Sequence, residues 1–224
     1  MINIFDIAEL KYLIMEFLDI KSLGRTICLN KSTKNLVESM PIYQEIMMSL
    51  PSELSNKFLS DMFVNACQYD CIHLVKNIVT NYKHKILNVM NYALVDACRN
   101  GHLLIVQFLV ESGVNLHDHD DWGLRCASEY GHLPVVKYLV ENGADVHARY
   151  DFSIWAACVY NHPDVANYLA TKGGVIYASD HYVLKWACEK CHVEIVKFLV
   201  DYGIKIGENF ETYYFLNKNN LIKN

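Results

Sequence analysis

Cys188-Glu189-Lys190-Cys191-His192 is a Cys-x-x-Cys-His string, the spacing of covalent haem attachment and close to that of a redox Cys-x-x-Cys. Attachment needs both thiols and an axial imidazole on an accessible segment. His102, His132, His162 and His192 form a second pattern, a ladder with a step of thirty residues. Rungs on stacked helical units stand about 10 Å apart, too far to share an ion whose ligands sit about 2 Å from it. His117-Asp118-His119-Asp120-Asp121 gathers ligand-type side chains, but spacing places no further ligands beside it. It reads as a solvated acidic loop tip, with a recognition tip as the alternative. No Gly-rich phosphate loop, nucleophile elbow or paired-carboxylate motif occurs. The expectation is a non-enzyme with no catalytic residue, no metal and no cofactor; haem or redox chemistry at Cys188, Cys191 and His192 is a remote alternative.

The elements that carry these residues repeat. Gly131-His132-Leu133-Pro134-Val135-Val136-Lys137-Tyr138-Leu139-Val140-Glu141-Asn142-Gly143 has counterparts opening at Gly101, Asn161 and Cys191 and closing at Gly113, Gly173 and Gly203. A fixed period of this length marks a solenoid, whose units bury their apolar faces only against their neighbours. Leu94, Leu124, Ile154 and Leu184 are each followed three residues later by an alanine: Ala97, Ala127, Ala157 and Ala187. That spacing puts both on one helix face, and the alanine lets a second helix approach. The second helix carries Val106 and Leu109, Val136 and Leu139, Ala166 and Leu169, Val196 and Leu199. The predicted fold is therefore all-α, a stack of helix-turn-helix pairs.

Local signals agree. Gly101 and Gly131 sit between the two helices where a left-handed residue fits, and Asn161 tolerates the same conformation. Cys191 in that slot predicts strain or a different turn. Gly113, Gly143, Gly173 and Gly203 stand as C′ residues after the second helices, and Pro134 and Pro163 fall in their first turns. Cys98, Cys158 and Cys188, with Ser128 in the same slot, read as small packed residues of a reducing compartment. The array thus accounts for Cys188 and His192 and leaves only Cys191 over.

Boundaries follow from the phase: helices over 1–45, a linker over 46–60, repeats over 61–216 and a polar tail over 217–224. There are about five repeats, the first degenerate, and a last half-unit at 211–220. An insertion in 81–91 shifts the first unit by one residue. A net charge of −5 gives no reason to expect nucleic acid or an anionic membrane as partner. No signal-peptide pattern or uninterrupted apolar span is present, so an intracellular setting is expected.

The repeated Gly-His, Val and Leu-Val positions, with Gly143-Ala144-Asp145-Val146, resemble ankyrin repeats. The unit is thirty residues rather than the usual 33 and lacks the Thr-Pro-Leu-His opening, so short or irregular connecting hairpins are expected. The resemblance implies that each ladder histidine bonds backbone of its own inter-helix turn. It also implies that a protein partner binds the concave face formed by first helices and loop tips. Glu9-Leu10, Ile14-Met15-Glu16-Phe17-Leu18-Asp19, Ser22-Leu23, Leu29-Asn30-Lys31 and Leu36-Val37 resemble an F-box, with Asp6-Ile7 where that family has Leu-Pro. This implies docking on the Skp adaptor of a cullin-RING ubiquitin ligase through Ile14, Phe17, Leu18 and Leu23. The alternative is a three-helix cap on the first repeat, the chain then being a plain scaffold or host-protein decoy. The short unit, the F-box-like segment and the Asn/Tyr/Ile-rich composition look like the ankyrin proteins of giant DNA viruses, which implies the cytoplasm of an infected host cell.

Comparison among units separates scaffold from surface. The slots Val95/Arg125/Trp155/Lys185, Asp96/Cys126/Ala156/Trp186, Arg99/Glu129/Val159/Glu189 and Asn100/Tyr130/Tyr160/Lys190 vary while the Leu and Ala slots do not. The contact candidates are Arg125, Glu129, Tyr130, Trp155, Tyr160, Lys185 and Trp186, with His117, His119, Arg149, Tyr150 and Tyr177 from the loops. Aromatic and Arg side chains are the usual anchors of interfaces. Trp155 and Trp186 read equally well as packed between helices.

Overall fold

A computed structural model describes residues 56–177, 181–204 and 218. The F-box-like region with Ile14, Phe17, Leu18 and Leu23 lies outside the described residues, as does the half-unit at 211–220 apart from Lys218. Ten α-helices and no strand are found among the described residues. They form five antiparallel pairs: α1 (Asn56–Gln68) with α2 (Ile72–Ile86), α3 (Met90–Asn100) with α4 (Leu103–Glu111), α5 (Trp122–Glu129) with α6 (Leu133–Glu141), α7 (Ala148–Val159) with α8 (Pro163–Thr171), and α9 (His181–Glu189) with α10 (Val193–Asp201). First helices pack on first helices and second on second along the stack. The first helices are the more closely packed row, and the side they present away from the second helices is termed the inner face.

The alanine slot explains the closeness. Ala97, Ala127, Ala157 and Ala187 are fully buried, beside the buried Leu94, Leu124, Ile154 and Leu184. Ser128 fills the cysteine slot by turning its hydroxyl back to donate to Leu124 O (2.8 Å), so the polar atom is satisfied inside the stack.

The second helices α4, α6, α8 and α10 end in the same double hydrogen bond. Val114, Ala144, Gly174 and Ile204 donate to Leu109, Leu139, Leu169 and Leu199, across left-handed Gly113, Gly143, Gly173 and Gly203. The inter-helix turns repeat this scheme. His102, His132, His162 and His192 N–H donate to the carbonyls of Ala97, Ala127, Ala157 and Ala187 at 2.8–3.0 Å. Cys191 makes the same turn as the others, with φ 59°, so of the two outcomes expected there, strain is the one found.

The insertion in the first unit is helical. Helix α2 has 15 residues against nine in each later second helix, and it bends at Tyr82, whose φ is −133°. Its extra turn reaches the next unit, where Lys83 Nζ donates to Ser112 O (2.8 Å) at the end of α4.

Candidate binding face

The histidine ladder connects units. His102, His132 and His162 place Nε2 2.8–2.9 Å from the carbonyls of Gln68, Arg99 and Glu129, at the end of the first helix of the preceding unit. This corrects the expectation of bonds within each histidine's own turn: stacking brings the preceding helix's unpaired C-terminal carbonyl closer than any group of that turn. A Cβ on Gly101 or Gly131 would meet the next unit's imidazole at 2.6 or 2.3 Å. The glycines therefore serve both the backbone angle and the rung. At the fourth rung the pattern breaks. Val159 O accepts from Trp186 Nε1 (3.2 Å), and His192 Nδ1 is buried without a partner. Burial and then the Lys190 ammonium hold His192 below the ordinary imidazole range.

The turns that open α5 and α7 each hold one aspartate that is not solvated. His119-Asp120-Asp121, just before α5, and Arg149-Tyr150-Asp151, a non-helical stretch inside the start of α7, are each three successive left-handed residues. The third residue turns inward. Asp121 is 4 % exposed and accepts from Asp145 N (3.1 Å) of the next hairpin, with His117 Nδ1 3.2 Å away. Asp151 is 2 % exposed and does the same, accepting from Val175 N (2.9 Å) and Tyr177 Oη (3.0 Å), with His147 Nδ1 at 2.8 Å. The reading of 117–121 as a solvated acidic tip is corrected for Asp121, because the next hairpin offers its carboxylate a backbone donor. His119 and Asp120 remain exposed at the tip.

The first helices present the candidate side chains in three groups. At the loop end, Arg125 Nη2 and Nε donate to His119 O (2.8 Å) and Asp120 O (3.0 Å), and its guanidinium lies 5.6 Å from the Phe152 ring centroid. Burial and the neighbouring Arg149 guanidinium lower its pKa. Arg149 reaches Asp120 at 3.8 Å, Tyr150 is fully outward, and Tyr177 holds Asp151. In the middle, Trp155, Lys185 and Trp186 line one open groove of about 380 Å³ with Val159, Tyr182, Val183 and Glu189. Trp155 is half-buried against Phe152, ring centroids 5.3 Å apart, while Trp186 is exposed. Glu129, Tyr130 and Tyr160 stand at the opposite end beside the inter-helix turns, about 12 Å from the loop end of an eight-residue helix. The structure does not bring these last three together with the loop candidates.

One slot was missed. Tyr92, Trp122, Phe152 and Tyr182 occupy the same position in four successive units. Tyr92, His119 and Trp122 form a triad with centroids 5.9–6.3 Å apart. The signal in the sequence is an aromatic residue recurring every thirty residues.

The Cys-x-x-Cys-His string does not present both thiols. Cys188 is buried in α9 and burial pushes its pKa up to about 11; Cys191 is the one exposed cysteine among the described residues. No helix among the described residues is long and apolar enough to cross a membrane, and no group of three or more metal-ligating side chains occurs among them.

No curated protein matches the chain. Residues 63–150, spanning α1 to the start of α7, match the family model for ankyrin repeats in three copies, and the same turn and hairpin bonds recur beyond them in α8 and α10: this stretch is an array of ankyrin repeats, a protein–protein interaction module.

Proposed function

We propose that the chain is a non-enzymatic binding scaffold that takes a protein partner on the inner face formed by its first helices and loop tips. The observation that supports this reading most is the groove at Trp155, Lys185 and Trp186. It brings the half-buried Trp155 and the exposed Trp186 together beside Lys185, and aromatic side chains are the usual anchors of an interface. Affinity purification of the full chain from its native host cell, beside a Trp155→Ala, Trp186→Ala double variant, tests it. A partner captured equally well by both would place the interface elsewhere.

The reading extends to the N-terminal region through its F-box resemblance. Residues 1–45 would recruit the Skp adaptor through Ile14, Phe17, Leu18 and Leu23, making the chain a substrate receptor of a cullin-RING ubiquitin ligase in an infected host cell. A pulldown with purified Skp adaptor decides this. Absence of the adaptor from a well-folded preparation leaves a plain ankyrin scaffold or decoy with a capping N-terminus.

A further inference from the structure

The first helices carry a row of aromatic side chains with a regular pitch. Tyr92, Trp122, Phe152 and Tyr182 stand one per unit at the loop end of successive first helices, and Trp155 and Trp186 add a second row one turn further along. Packed helix axes are spaced about 8–10 Å. A polyproline II helix advances about 9.3 Å per three-residue turn, so each unit of the stack meets one turn of such a ligand. Four units span about 30 Å, the length of roughly nine or ten residues at about 3.1 Å each.

Charge selects the same class of partner. Asp96 with Arg99 (2.9 Å), Asp120 with Arg149 (3.8 Å) and Lys185 with Glu189 (3.7 Å) pair along this face. Arg125, Glu129 and Lys190 stand among these pairs without an ion-pair partner among the described residues, so both signs are interspersed over the face. Such a face offers little long-range attraction to a wholly acidic or wholly basic segment and suits an uncharged one. A ligand with free backbone acceptors also suits the groove, because an ammonium stands at its edge: Lys190, with Nζ 4.8 Å from the Trp186 ring centroid. Polyproline II leaves every carbonyl unpaired, and it arrives already ordered.

We propose that the aromatic inner face from Tyr92 to Trp186 binds an uncharged proline-rich segment in the polyproline II conformation, its prolines seated in the groove between Trp155 and Trp186. This rests on the reading of the inner face as the binding surface. The chain's three tryptophans, Trp122, Trp155 and Trp186, all lie on this face, so intrinsic fluorescence reports on it directly. Titrating the full chain with a capped ten-proline peptide should give a saturable change in emission, and a ten-residue Gly-Ser peptide should give none. Tyr182→Ala, at a well-exposed position, should weaken binding about tenfold or more; Trp155→Ala should do so as well, with circular dichroism verifying its fold. No saturable response to the proline peptide, or an equal response to Gly-Ser, overturns the proposal. Selection from a displayed random peptide library separates it from the broader reading. Proline-rich winners lost with Tyr182→Ala support it. Winners without proline that are lost with Tyr182→Ala overturn the ligand class and leave the inner face standing, and winners indifferent to Tyr182→Ala and Trp155→Ala overturn both.

Discussion

Cys191 holds a left-handed backbone at φ 59° in the slot where Gly101 and Gly131 have φ 75° and 77°. A Cβ costs about 1–2 kcal/mol in that region. Cys191→Gly should therefore stabilise the protein by about 1 kcal/mol, seen as a higher denaturation midpoint at unchanged slope. A midpoint that stays put would mean the thiol returns the strain through contacts of its own. Gly131 shows the opposite case, since its Cβ would land on the His162 imidazole. At this scale the sequence was readable where a residue type has one backbone use, as at Gly113 or Pro134. It misled at Asp121, because the partner that buries this carboxylate is the amide of Asp145 in the next unit, and composition marks an Asp-rich tip as solvated.

Helices and hairpins hold together by bonds that cross from unit to unit. The Asp151 carboxylate ties the left-handed start of α7 to Val175 and Tyr177 beyond α8. Asp151→Ala should cost about 2–3 kcal/mol, as expected for hydrogen bonds to a buried charged group, and amide exchange should speed up at Val175. If the cost is near zero, the hairpins are held by their own turns. Leu139, buried in α6 and the acceptor of the bond that closes that helix, is the apolar counterpart: Leu139→Ala should cost about 2–5 kcal/mol by chemical denaturation. Arg125 stands in a slot that varies from unit to unit. Its two bonds to His119 and Asp120 carbonyls make it also a brace of the hairpin that precedes its own helix.

The whole stack excludes water from a column of thiols. Burial raises the pKa of Cys158 to about 12 and that of Cys98 further. Both stay protonated in the fold, while an unfolded thiol ionises near 9.0. Their stabilisation is complete below pH about 9 and is lost as pH rises toward about 12. Stability measured across that window should fall, and Cys158→Ala should fall less steeply; parallel curves would show that other groups govern the alkaline transition. The sequence by itself determined the helix pairs, their phase, their caps and the apolar and alanine stripes, because these depend on residues within one unit and recur in every unit. Tertiary stacking alone decided that the histidines bond the preceding unit, that Asp121 and Asp151 are buried latches, and that Trp155, Tyr182 and Trp186 share one groove. Each of these joins residues some twenty-four to thirty-four positions apart, and only the packing of one unit on the next fixes which atoms meet.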